Sequence, residues 1–369
     1  MEDIVNAWTE WGKLEEVVVG RAENSCFIQE EPNFRGFINN KLVDMTIPWP
    51  EGRKKASIID NAIRQLNFFV ETLEGEGIRV HRPAPVDHYK PARTPSWSTY
   101  TQYGTTCPRD CMITVGNCVL EATMSKRTRY FEHLPYRHIT RDLWKRDKNM
   151  QWKAAPKPSM DDDCFRPEFW EEPKPNSKRI YSLTEKEPIF EAADMIKCGM
   201  HFFILEGLST NQAGIEWLRR EFPNIIFNEC RFHNELYPNH IDASLIPLRP
   251  PCDGEGGLVL MNSERPLMES YTDIWTRNGW KIINAPEPAD IPVPIFSQCS
   301  KWLSMNILSL SENCVVIEEN EKSLYNLLDS YGFDVITVPF RDVYEFGGSL
   351  HCTTWDIRRN DSCIDYFPN

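Results

Sequence analysis

The sequence predicts an α/β fold built from about five similar units, each a strand or hairpin followed by a helix and a further strand. Three observations carry that expectation. Short apolar runs stop at glycine or proline, segments with apolar residues three and four apart follow them, and the succession recurs along the chain. The units are unequal in length, unlike a solenoid of fixed period. Five such units can stack linearly or close radially. Radial closure removes exposed sheet edges and gathers strand ends around a common centre. An ordinary mixed α/β sheet is the alternative the pattern leaves open.

Taken in order, Leu14-Glu15-Glu16-Val17-Val18-Val19-Gly20 reads as a buried strand stopped by glycine. Ile63, Leu66, Val70 and Leu73 then mark one face of a helix, which Gly75 and Gly77 end. A strand at 78–82 runs into Pro83. In the next unit, 112–115 and 118–121 flank Gly116-Asn117, the spacing of a two-residue hairpin turn. A helix-like stretch over 129–145 and a strand at 150–155 complete it. The third unit shows a helix over 213–220 and a strand at 224–227. A strand at 257–261, a helix over 267–277 and a strand at 280–283 form the fourth. The fifth has a hairpin, 306–310 and 315–318, then a helix face of Leu324, Leu327, Leu328 and Tyr331, and a strand at 334–338. Long connections at 83–109, 161–179 and 245–257 are rich in proline and read as binding loops or insertions. None resembles a domain linker, so residues 1–369 are expected to form a single domain.

The composition excludes several classes of partner. Forty-one basic against 54 acidic residues give a net charge of −13, which disfavours nucleic acid and anionic membrane surfaces. No apolar run is long enough to span a bilayer, and the N-terminus lacks the features of a signal or transit peptide. Twelve irregularly spaced cysteines without a C-x-x-C pair suggest reduced thiols in the cytoplasm. They give no sign of a structural metal.

Polar motifs stand at the strand boundaries: Pro108-Arg109-Asp110, Phe190-Glu191-Ala192-Ala193-Asp194, His240-Ile241-Asp242-Ala243 and His351-Cys352. Carboxylates flanked by alanine suggest burial, and a buried charge needs a partner. Cys352 follows Gly347-Gly348 on what reads as a short strand. Together the motifs supply a cysteine nucleophile, a histidine base, a carboxylate to orient the histidine and two spare carboxylates. Paired acceptors match a planar guanidinium fork. Guanidinium carbon is a poor electrophile, so such carboxylates would help mainly by orientation.

With these motifs the chain resembles the arginine:glycine and inosamine-phosphate amidinotransferases of the pentein superfamily. Further segments carry the likeness: Val115-Gly116-Asn117, Arg129-Tyr130-Phe131-Glu132, Ala154-Ala155-Pro156-Lys157-Pro158, Gly214-Ile215-Glu216-Trp217, Ser300-Lys301-Trp302-Leu303-Ser304-Met305-Asn306 and His351 to Arg359. The resemblance implies a five-bladed α/β propeller of ββαβ modules with a site on its central axis. It implies Cys352 as the amidino-accepting nucleophile and His240 as the general acid/base. Glu191 stands where these enzymes orient the histidine with aspartate. Asp110 and Asp242 match the carboxylates that hold the guanidinium, and Arg265 the arginine that takes the donor's α-carboxylate. Cys299 and Ser300 fall on a pair of substrate-contacting serines.

The implied reaction is ping-pong transfer of the amidino group of L-arginine to a primary amine, with L-ornithine released. It requires neither cofactor nor metal. His240 is expected to be poised near neutrality. Three departures bear on the outcome: Glu191 for aspartate, Cys299 for serine, and Tyr237 with Asn239 where the glycine-using enzymes carry Asn and Met. Related hydrolases use glutamate at the Glu191 position, so a deiminase-like release of citrulline is an alternative. A non-catalytic guanidino-compound binder is a third. Glycine, a lysine-like amine and a specialised-metabolite amine are all open as acceptors, and the family suggests a homodimer.

Overall fold

Five three-stranded sheets share one internal order in the computed structural model. It describes residues 3–34, 37–38, 41–42, 49–170, 180–234, 240–252, 256–294, 296–297 and 299–369. The first sheet is assembled from both ends of the chain. Thr354–Asn360 pairs antiparallel with Lys13–Val19, which continues through helix α1 (Ala56–Gly75) to the parallel strand Arg79–His81. A one-turn helix α2 (Pro108–Cys111) leads into the second: the hairpin Met112–Val115 and Cys118–Glu121, helix α3 (Arg137–Arg146), and Gln151–Ala154 parallel to the hairpin's inner strand. Met195–Cys198, His201–Leu205, α4 (Gln212–Glu221) and Ile226–Cys230 repeat the pattern. So do Leu245–Arg249, Gly257–Met261, α5 (Glu269–Arg277) and Trp280–Asn284. Leu308–Ser311, Cys314–Glu318, α6 (Lys322–Ser330) and Asp334–Val338 complete the set. The modules are therefore ββαβ blades of a five-bladed propeller, which the terminal strand closes.

The helices lie where their periodicity places them. In α1 the fully buried positions are Ala62, Leu66, Phe69 and Leu73, one residue round from the face centred on Ile63 and Val70, which are only partly buried. Other expectations need correction. The 129–145 stretch becomes α3 only from Arg137, preceded by short 3-10 turns at Arg127–Arg129 and Leu134–Tyr136. There Arg129 and Glu132 are committed to a buried ion pair. The 245–257 connection begins with a strand, Leu245–Arg249, and ends at Gly257, where the next strand starts. Pro247 is tolerated because Leu245–Arg249 is an edge strand with a register shift beside the proline. The third blade's hairpin was not foreseen. Its turn glycine, Gly199, takes the left-handed conformation (φ +71°), as Gly116 does (φ +57°). The 224–227 strand is displaced to Ile226–Cys230. Cys352 sits not on a strand but in the turn just before Thr354–Asn360.

In each blade the first strand is entered from a short helical segment or turn. These are α2, the 3-10 turns Ala192–Asp194, Ile241–Ala243 and Lys301–Met305, and the turn at 350–353. A buried ion cluster pins the blades together. Asp356 accepts from Arg109 Nη2 at 2.7 Å, Arg359 Nε at 2.9 Å and Lys197 Nζ at 3.1 Å. Arg359 Nη1 also donates to the carbonyls of Gly12 and Ser309. Burial alone would raise the Asp356 carboxyl. The three cations outweigh it and hold the group well below the usual carboxylate range.

Asp356→Asn would leave three buried cations facing an amide and should cost about 3–5 kcal/mol at pH 7. Because the folded carboxyl is depressed, its contribution is present above about pH 4 and fades as pH falls towards the folded value. Urea unfolding should show the full gap between wild type and variant at pH 7 and a narrowing gap below about pH 4. A gap independent of pH would mean that Asp356 acts through packing alone.

Candidate active site

The blade-entry segments carry the candidate residues. Asp110 lies on α2, Glu191 precedes the 192–194 turn, and His240 precedes the 241–243 turn that holds Asp242. Cys299 and Ser300 precede the 301–305 turn, and Cys352 lies in the last segment. Residues scattered over 243 positions thus occupy equivalent places in successive blades.

His240 Nε2 donates to Glu191 Oε2 at 2.9 Å, and its Nδ1 lies 3.8 Å from Asp110 Oδ1. The other Glu191 oxygen accepts from the Ser125 backbone N–H (3.1 Å) and hydroxyl and from Lys126 Nζ (3.3 Å). Glu191 is completely buried. Burial opposes its charge, but Lys126, His240 and Arg129 hold its carboxyl well below the ordinary value. Burial would likewise depress His240. The Asp110 charge and the Glu191 hydrogen bond prevail and push it up to about 9. Three carboxylates, Asp110, Glu191 and Asp194, thus carry the imidazole past the near-neutral poise that the sequence suggested.

Asp110 is held from behind. Its Oδ2 accepts from Arg129 Nη1 at 2.6 Å, while Arg129 also forks onto both oxygens of Glu132 at 2.6 Å and sits over the Tyr103 ring. Asp110 Oδ1 is buried without a hydrogen-bond partner among the described residues. On the other flank, Cys352 Sγ donates to Asp242 Oδ2 at 3.3 Å, and His351 Nδ1 donates to the same oxygen at 2.9 Å. Burial, and then the negative charges of Asp242 and Asp110, push the Cys352 thiol well above its ordinary value. Without a substrate present it is a thiol. Asn306 fixes this turn: its Oδ1 accepts the Cys352 N–H at 3.0 Å and its Nδ2 donates to the Asp242 carbonyl at 3.3 Å. Gly348 is packed so closely that a Cβ there would lie 2.7 Å from the Cys352 Cβ and 2.6 Å from Cys107 Sγ.

Cys352, His240, Glu191, Asp110 and Asp242 are therefore brought together. Arg265 joins them through its Nη1, which donates to Ser244 Oγ (2.7 Å) and the His240 carbonyl (3.4 Å), with its guanidinium over the Phe232 ring. Ser300 Oγ caps its turn by accepting the Trp302 N–H at 3.0 Å. Cys299 Sγ donates to the Tyr344 carbonyl at 2.7 Å, and burial pushes its thiol up to about 12. Tyr237 and Asn239 lie outside the described residues. Sequence reasoning quoted Arg129, Asn306 and His351 within motifs but gave them no role. Ser125, Lys126 and Glu10 carried no signal. Asp110, Glu191 and His240 present ligand atoms within 4.8 Å of one another, a set that could gather round a cation. Arg129 and Lys126 already place positive charge against two of them.

No family model matches the chain. It is 32% identical over 372 residues to the mitochondrial glycine amidinotransferase of Danio rerio, covering 98% of this chain and 85% of that one. It is also 32% identical over 374 residues to the L-arginine:L-lysine amidinotransferase of Pseudomonas savastanoi pv. phaseolicola, covering 98% and 96%. Among solved structures, SxtG, an amidinotransferase of the saxitoxin biosynthetic pathway from Microseira wollei, superposes with a TM-score of 0.85 at 33% identity, covering 98% of this chain and 99% of that one. Inosamine-phosphate amidinotransferase from Streptomyces griseus does so at 0.87 and 29%, covering 99% and 100%. A dimethylarginine dimethylaminohydrolase from Pseudomonas aeruginosa shares the fold alone, at 0.57 and 13% identity, with 93% and 99% covered.

Because Asp242 helps to hold the thiol protonated, Asp242→Asn should move the pH midpoint of Cys352 alkylation by iodoacetamide downwards and raise the rate at pH 7 several-fold. An unchanged or higher midpoint would show that the Asp242 charge does not act on the sulfur.

Proposed function

Because this chain belongs to the amidinotransferase family of the pentein superfamily, we propose that it moves the amidino group of L-arginine to a primary amine through an intermediate on Cys352. The observation that carries this reading is the buried Asp110 Oδ1, which has no hydrogen-bond partner among the described residues and faces His240 at 3.8 Å in the cluster where Asp242 meets the Cys352 thiol. A substrate guanidinium would supply the missing donor, and its positive charge would offset the two carboxylates that keep the sulfur protonated.

In the first half-reaction the Cys352 proton is lost to solvent as the cation enters. The thiolate attacks the guanidinium carbon. Charged His240 gives its proton to the bridging nitrogen, whose bond to that carbon breaks, and ornithine leaves. An S-amidino-cysteine remains. Neutral His240 then takes a proton from the acceptor amine, the amine nitrogen bonds to the amidino carbon, and the C–S bond breaks to return the thiolate. Glu191 is a positioning residue: it fixes the ring and stabilises the imidazolium. Arg265, with Ser300 and Cys299, is assigned to the donor's α-amino and α-carboxylate end. Tyr237 and Asn239 are assigned to the acceptor side.

Among the described residues no helix is long and apolar enough to cross a membrane. A single domain, a homodimer and a cytoplasmic location complete the proposal.

The test uses arginine labelled with carbon-13 in the guanidino group, with and without a panel of glycine, lysine and larger primary amines. The expected outcome is ornithine formed in proportion to a labelled guanidino product, at a rate that requires the amine. Labelled citrulline accumulating without an amine would replace the transferase reading with a hydrolase. No turnover with any amine and no modified protein would leave a binder.

A further inference from the structure

His351 lies one residue before the nucleophile, and the mechanism above does not use it. Its side chain is almost wholly buried, and both ring nitrogens face carboxylates: Nδ1 meets Asp242 Oδ2 at 2.9 Å and Nε2 meets Glu10 Oε2 at 3.1 Å. The ring thus bridges the two carboxylates, one oxygen of each at hydrogen-bond distance from one of its nitrogens. Backbone bonds hold the residue in place, its N–H on the Asn306 carbonyl (3.1 Å) and its carbonyl accepting from Arg109 Nε (2.8 Å). Glu10 is itself anchored. Burial would raise its carboxyl, yet Lys197, His351 and Arg109 bring it down to about 2. The Asp242 oxygen that His351 takes is the same one that receives the Cys352 thiol.

We propose that His351 is a positioning residue for the loading of Cys352. It clamps Asp242 Oδ2 between imidazole and sulfur, so that the carboxylate is aimed at the incoming guanidinium and its charge on the thiol is partly offset. The bond to Asp242 does this work, while the bond to Glu10 orients the ring. The charged and titratable groups facing the assembly are Asp242, Glu10, Arg109, Lys197, Asp356, Cys352, Asp110, His240 and Cys107. The inference rests on Cys352 being the nucleophile.

The two bonds can be separated. His351→Asn places an amide N–H near the position of Nδ1 and keeps the donor to Asp242. His351→Gln places it near Nε2 and keeps only the bond to Glu10. The readouts are the single-turnover rate of amidino loading from arginine, the rate of its discharge to an amine, and the pH midpoint of Cys352 alkylation. His351→Gln should load about 100-fold more slowly, with its alkylation midpoint moved to higher pH and arginine affinity less affected. His351→Asn should recover most of the loading rate. Equal losses in both variants, or an unmoved alkylation midpoint in His351→Gln, would overturn the proposal. Should His351→Gln fail to fold, Glu10→Gln substitutes for it. That change should slow loading about tenfold while leaving discharge nearly unaffected, and equal effects on both steps would overturn the idea. Wild-type protein that never loads would instead sink the nucleophile assignment.

Discussion

The pairing of Thr354–Asn360 with Lys13–Val19 closes the ring, and the site exists only because the ring is closed. The turn that carries Cys352 enters this closing strand. Closure brings it against α2, where Arg109 donates to the carbonyls of His351 and Cys352 and binds Asp356 on the strand itself. The backbone at Cys352, Asp110 on α2 and the central ion cluster are thus one mechanical unit. A propeller without its last strand would lose the cysteine's neighbours along with its edge pairing.

Within that frame the chemistry follows from an excess of buried carboxylate. Each acid at the centre commits one oxygen to an internal donor: Asp110 to Arg129, Glu191 to Lys126, Asp242 to His351, Glu10 to His351. The remaining charge is spent on raising His240 and holding Cys352 as a thiol. In the proposed reaction a guanidinium between the carboxylates would offset their charge on the sulfur, and charged His240 would then serve the leaving nitrogen, so that activation is coupled to occupancy. Glu191 reaches the imidazole at 2.9 Å, so the length of its side chain by itself gives no reason to favour hydrolysis over transfer.

Much of this was legible in the amino-acid sequence, for physical reasons that differ by element. Helices such as α1 and α6 announce themselves because one face must be apolar, and the turn at Gly116-Asn117 because few residues tolerate its backbone. The hairpin at 195–205 was hidden. Its strands are buried on both sides, so alternation is absent, and Lys197 and His201 break the apolar run for partners distant in sequence, Asp356 on the closing strand for Lys197, Asn228 and Asp365 for His201. Leu245–Arg249 was masked by Pro247, which only an edge position permits. The main site residues could be named because alanine-flanked acids beside a histidine or cysteine are poor surface choices, and because the resemblance supplied roles. Glu10, Lys126 and Arg129 could not be assigned in the same way. Glu10 and Lys126 find their partners in other blades, and the bond from Arg129 to Asp110 spans 19 positions, so local spacing shows only its pair with Glu132.

The central claim is that Cys352 carries the amidino group between substrates. Protein incubated with L-arginine alone, quenched in acid and mapped by peptide mass spectrometry, reports on it directly. One amidino group on the peptide containing Cys352, discharged on adding a competent amine and absent from Cys352→Ala, is the predicted result. An amidino group on another residue, or amine-dependent ornithine release by Cys352→Ala at the wild-type rate, would contradict it.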